Sequence, residues 1–128
     1  MSADPRRTRG ATGEELAERH LVAVGYSVLE RNFRTRYGEL DLIACSEHAL
    51  VFCEVKTRVG GSRGGPPGPL DAIGPKKRRR LRLMAAQWLA ARAGEERPVR
   101  ATLRFDAIGV TITPAGRLAT LEHVEDAF

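Results

Sequence analysis

Residues 39–45 and 50–57 are dominated by Leu, Ile, Val and Phe, and Ser46-Glu47-His48 between them is turn-like. The pattern predicts two short strands joined by a tight turn. Three charged residues interrupt this otherwise apolar hairpin: Asp41, Glu54 and Lys56. Side chains alternate between the two faces of a strand. Glu39, Asp41, Ile43 and Cys45 therefore share one face of the first strand, and Leu50, Phe52, Glu54 and Lys56 share one face of the second. If the strands pair with Asp41 and Glu54 on the same side, two carboxylates and an ammonium converge at one end of the hairpin.

Helical periodicity flanks this hairpin. Leu16, Ala17, His20, Leu21 and Val24 recur on one stripe, and Thr12 and Glu15 have capping-box spacing, so a helix is expected over residues 13–24. Gly25 should end it. Glu15 then points away from the stripe toward Arg19, whereas Glu14 looks toward the sheet. Tyr26–Arg34 reads as a first strand, with residues 35–38 as a turn into the hairpin. Residues 59–70, rich in Gly and Pro, read as a mobile loop. A second helix is expected over residues 75–93, its stripe formed by Leu81, Met84, Ala85, Trp88 and Leu89. Leu103–Ile112 reads as a strand, and residues 117–121 as a short final one. The order is α-β-β-β-α-β, an α/β domain whose mixed sheet contains a parallel pair joined through the second helix.

The 128 residues suffice for one domain, expected over 11–128 behind a disordered basic tail of residues 1–10. A net charge of +5 favours a polyanionic partner, nucleic acid first. Apolar runs fall well short of the roughly 20 residues that span a bilayer, so no membrane partner is expected. No signal peptide is visible, and the two cysteines, Cys45 and Cys53, fall on opposite sheet faces. The expected setting is therefore a reducing cytoplasm.

Charge in an apolar strand costs free energy unless it is paired or binds a metal. Mg²⁺ takes oxygen ligands, commonly one or two carboxylates plus substrate phosphate, and Mn²⁺ accepts the same donors. Asp41 and Glu54 supply such oxygens, and Lys56 can orient a water or neutralise developing negative charge. The competing reading is a structural salt-bridge cluster. Glu14 is a candidate third ligand, or simply a carboxylate complementing a helix N-terminus. The run Lys76-Lys77-Arg78-Arg79-Arg80 places positive charge where the helix dipole disfavours it, which an external phosphate would offset. Lys77 faces the sheet in this spacing. His20 reads as a packed histidine, and His48 and His123 as turn and tail residues. Ser62, Asp106 and His123 occur in serine-hydrolase order, but Gly65-Pro66-Pro67 cannot begin the helix that a nucleophile elbow needs.

These residues together resemble the bacterial YraN-like family. The motifs are Gly10-x-x-Gly13-Glu14, Gly25-Tyr26, Arg31-Asn32, GELDLIA from Gly38 and FCEVKTR from Phe52. Lys77 before the Trp88-Leu89 helix end, RFDAI from Arg104, and Ala127-Phe128 complete the set. The resemblance implies a restriction-endonuclease-like core, similar to archaeal Holliday junction resolvases. It further implies metal binding by Glu14, Asp41 and Glu54, with Asp41, Glu54 and Lys56 catalytic. The expectation is a Mg²⁺- or Mn²⁺-dependent endonuclease acting on DNA, branched or otherwise structured. Arg58, Lys76, Lys77, Arg78, Arg79 and Arg80 would grip phosphate, and dimerisation follows only by analogy of fold. The alternative is a non-catalytic nucleic-acid-binding module on the same fold.

Overall fold

The computed structural model describes residues 5–60, 74–95 and 102–128. Helix α1 spans Pro5–Ala23, followed by β1 (Ser27–Thr35), β2 (Gly38–Cys45) and β3 (Ala49–Val59). Helix α2 spans Pro75–Ala91, and β4 (Thr102–Ile112) and β5 (Leu118–Val124) complete the chain. The strands form one sheet in sequence order, antiparallel except for the β3–β4 pair, which is parallel. This is the expected α/β mixed sheet flanked by helices, and it matches a restriction-endonuclease-like core.

Each sheet face carries its own core. On one face Leu42, Ala44, Val51, Cys53, Ile108 and Val110 pack against Ala17 and Leu21 of α1. On the other, Ile43, Leu50 and Phe52 meet Leu81, Met84, Ala85 and Trp88 of α2. Phe52 stands edge-on to Trp88 at 5.8 Å between ring centroids and stacks on Phe105 at 5.4 Å. Cys45 and Cys53 are free thiols belonging to opposite faces, as the strand alternation requires.

The start of α1 departs from expectation. The helix begins at Pro5, so residues 5–10, expected in the tail, are its first turns. Thr12 consequently lies inside the helix, where its hydroxyl donates to the Thr8 carbonyl at 2.9 Å and caps nothing. Proline suits a first helical turn because its missing N–H would have no partner there. At the other end the helix stops at Ala23, leaving Val24 exposed rather than on the apolar stripe, and Gly25 takes φ +102°. The anticipated loop is outside the described residues from 61 to 73.

Helix α1 makes one unusually close approach to the sheet. A Cβ built on Gly13 would lie 1.7 Å from the Thr57 hydroxyl oxygen of β3. Only glycine lets the helix backbone approach this closely. The contact holds the next residue, Glu14, at the edge of the β2–β3 hairpin.

Candidate metal centre and basic face

The pairing of β2 with β3 runs from Cys45↔Leu50 to Leu42↔Cys53 and stops there. Asp41 and Glu54, the next residues on the two strands, thus lie where the ladder ends. The backbone N–H of Val55 donates to Asp41 Oδ2 at 2.7 Å. A strand amide is thereby satisfied by a carboxylate where the β2 backbone no longer reaches it.

Helix α1 and β2 add two further acids. One carboxylate oxygen each from Glu14, Glu39 and Asp41 lie within 4.8 Å of one another. Asn32, held at φ +52°, bridges two of them: with its amide nitrogen turned inward it donates to Glu39 Oε1 and Glu14 Oε2. Burial is the main reason that the Asp41 carboxyl is raised to about 7. The Val55 N–H opposes this shift, while the charges of Glu14, Glu54 and Glu39 add to it. Glu14 is raised as well, by burial and then by the charge of Glu39.

Glu54 is held differently. Its Oε1 accepts from Lys77 of α2 and lies 3.5 Å from Lys56 Nζ. Its Oε2 is buried and has no hydrogen-bond partner among the described residues. A cleft of about 290 Å³ lined by Arg9, Gly10, Glu14, Val55, Lys56 and Thr57 opens beside these groups. Of the basic run opening α2, Lys77 is half-buried, while Lys76, Arg78, Arg79 and Arg80 are exposed. Arg58, on the same strand face as Glu54 and Lys56, is exposed and donates to the Thr111 hydroxyl at 3.1 Å.

Asp41 and Glu54 therefore flank the end of the hairpin ladder, with Lys56 beside Glu54. Glu14 joins Asp41 from α1, while Glu54 is outside the group of oxygens that Glu14, Glu39 and Asp41 bring within 4.8 Å of one another. Glu39 is the acid that the motifs did not single out. Its signal was present, since it lies two residues before Asp41 on one strand. Lys77 reaches Glu54 itself instead of lying only along the basic surface.

The raised Asp41 carboxyl has a signed consequence. In the unfolded chain the group ionises near 3.8, so between pH 4 and 7 the folded state binds the extra proton. Its contribution to stability is full below about pH 4 and is lost as the pH rises through 7. Asp41→Asn keeps an acceptor for the Val55 N–H but never ionises. In metal-free buffer it should exceed the wild type in stability at pH 8 by on the order of 2 kcal/mol, and match it near pH 4. Urea unfolding at the two pH values checks this. Equal stability at pH 8 would show that Asp41 is not destabilised by its site.

A second polar cluster lies on the α1 face. Fully buried Asp106 accepts from Arg104 Nε and Nη2 at 2.9 Å each, from His123 Nε2 at 2.7 Å and from the Asp126 N–H at 3.0 Å. His123 is thus an internal ligand of the sheet and not a tail residue; its Nδ1 lies 3.0 Å from His20 Nε2 of α1. Burial disfavours the Asp106 charge, but His123, Arg104 and the Asp126 amide together hold it below its usual value. All its acceptor positions are directed at donors within the chain, so this cluster fastens β4, β5 and α1 together.

Among the described residues, no helix is long and apolar enough to cross a membrane. A profile described as "Uncharacterised protein family UPF0102" matches residues 13–110. A UPF0102 protein of Mycobacterium avium (strain 104) is 47% identical over 127 residues, covering 95% of this chain and 91% of that protein. One from Rhodococcus opacus is 44% identical over 119 residues, covering 93% and 94%. One from Frankia casuarinae is 43% identical over 120 residues, again covering 93% and 94%. The matched span contains Glu14, Glu39, Asp41, Glu54, Lys56 and Lys77, and because the chain matches these relatives over nearly its full length it belongs to the UPF0102 family, as its YraN-like motifs imply.

Proposed function

We propose that this protein is a divalent-cation-dependent endonuclease that hydrolyses DNA phosphodiester bonds. The observation that carries the reading is the meeting of Asp41, Glu54 and Lys56 with Glu14 where the β2–β3 ladder ends. A hard cation fits the donors. The three oxygens from Glu14, Glu39 and Asp41 lie within 4.8 Å of one another, so small side-chain adjustments would bring them onto one ion at about 2.0–2.1 Å. The orphaned Glu54 Oε2 is a further buried acceptor awaiting a positive partner. Asp41 and Glu14, whose ionisation burial and neighbouring carboxylates disfavour, gain most from a cation that restores their charge.

Glu14, Asp41 and Glu54 would hold Mg²⁺ or Mn²⁺, with Glu39 as an additional oxygen donor. When bound, the ion would stabilise negative charge at the phosphorus and acidify the attacking water. Lys56 would orient that water or offset charge as it develops. Arg58, Lys76, Arg78, Arg79 and Arg80 present positive charge outward on one side of the sheet and would track the phosphate backbone. Any preference for branched DNA would come from this basic surface.

The reading is tested by incubating labelled linear duplex, single strand, flap and four-way junction with Mg²⁺, with Mn²⁺ and with EDTA. Cleavage is expected with either metal and is expected to stop when EDTA removes it. Binding without cutting in every metal would instead make the domain a nucleic-acid-binding module, with its acids explained as structure.

A further inference from the structure

Lys77 differs from its basic neighbours in what it touches. Lys76, Arg78, Arg79 and Arg80 face solvent, whereas Lys77 turns from the first turn of α2 into the hairpin and pairs with Glu54 Oε1. Lys56 already stands 3.5 Å from that same oxygen. Two ammonium groups thus share one carboxylate oxygen while the other, Oε2, is buried without a donor among the described residues. A buried acceptor left in that position is unfavourable until a donor or cation reaches it.

Arrival of a dication changes this balance. Like charges a few ångströms apart in a partly buried site repel strongly, and a divalent ion doubles the repulsion that a single ammonium feels. Two ammoniums and a dication cannot all remain against Glu54 at this cost. Lys56, whose stem is as long as that of Lys77, stands on the strand that carries Glu54 and stays near it. Lys77 belongs to another element and has a flexible four-carbon stem beginning beside the exposed basic residues.

We propose that Lys77 is the resident counter-ion of Glu54, and that it gives up this carboxylate when a divalent cation occupies the site, becoming free to contact substrate phosphate. The inference rests on the metal-dependent reading given above. It makes Lys77 a positioning residue for Glu54 in the metal-free protein, and it links metal occupancy to the charge that the α2 face offers to DNA.

The test is Mn²⁺ binding by the full chain in the absence of DNA, followed by electron paramagnetic resonance, for wild type, Lys77→Met, Lys77→Arg, Arg79→Ala and Asp41→Asn. Removing the competitor should tighten Mn²⁺ binding about tenfold in Lys77→Met. Lys77→Arg, which keeps the charge, should stay near wild type, and Arg79→Ala should not change. Lys77→Met binding Mn²⁺ no more tightly than wild type, while Asp41→Asn loses it, would overturn the exchange and leave the metal site standing. No Asp41-dependent Mn²⁺ binding in any variant would overturn the metal-dependent reading itself. Should Lys77→Met fail to fold, the wild-type Lys77 ammonium can be followed by NMR during Mg²⁺ titration. Its resonance must lose the signature of the Glu54 ion pair as Mg²⁺ binds, and an unperturbed signal at saturation would refute the exchange.

Discussion

Lys56→Ala is expected to lower metal-supported DNA cleavage by about 10²–10³-fold, the loss typical when one preorganised group facing developing charge is removed. Asp41→Asn should cost at least as much, because it removes a carboxylate from the cluster with Glu14 and Glu39. The two substitutions should separate in other respects. Lys56→Ala should retain Mn²⁺, since Lys56 is no ligand, whereas Asp41→Asn should lose it. Single-turnover cleavage of the best substrate in the panel, measured beside Mn²⁺ binding, distinguishes them. Cleavage that survives both changes would move the chemistry elsewhere. The Asp41 result carries a second signature, because the same substitution that removes activity should stabilise the metal-free fold above pH 7. A site that is costly to keep charged and needed for chemistry is a common compromise between stability and function.

Asp106→Ala should destabilise the domain by about 3–5 kcal/mol, the usual result of leaving one partner of a buried ion pair behind. Arg104 would lose two hydrogen bonds, and His123 and the Asp126 amide one each. Against a typical total of about 5–15 kcal/mol, that loss approaches unfolding at 37 °C. The midpoint of urea denaturation should fall with an unchanged slope. A change below about 1 kcal/mol would mean that solvent replaces the network without cost. The two central acids therefore act in opposite senses. Asp106, held below its normal value, contributes stability that is present at neutral pH and lost on acidification. Asp41, raised to about 7, contributes most when acidified.

Much of this arrangement was legible in the chain because charge inside an apolar strand is hard to explain otherwise. Asp41, Glu54 and Lys56 break a run of Leu, Ile, Val and Phe, and strand alternation alone places Glu54 beside Lys56. Helical spacing also placed Lys77 inward and Glu15 outward, where it pairs with Arg19 at 3.2 Å. What escaped depends on contacts between distant parts of the chain. His123 sits in a mostly exposed edge strand, and nothing local indicates that its ring meets Asp106 across the β4–β5 pair. Glu39 shares a strand with Asp41, a local signal, but its approach to Glu14 of α1 and Asn32 of β1 is a contact between distant parts of the chain. The start of α1 was missed because Pro5–Gly10 has no apolar periodicity. Its helical conformation lies in line with a helix whose later turns are packed on the sheet.

The parallel ladder between β3 and β4 has a kinetic consequence. Arg58 and Thr111, side by side across it, are separated by 53 residues in sequence. The β1–β2–β3 meander closes through short turns, while the β3–β4 pair must first close a long loop at an entropic cost. Local hairpins form in about 1–10 μs, and non-local pairings follow more slowly. Nascent or refolding chains should thus bring Glu39, Asp41 and Glu54 together before α2 delivers Lys77. In that interval Glu54 has Lys56 of its own strand as counter-charge but not yet Lys77, so a divalent ion present during folding would meet one competing ammonium instead of two.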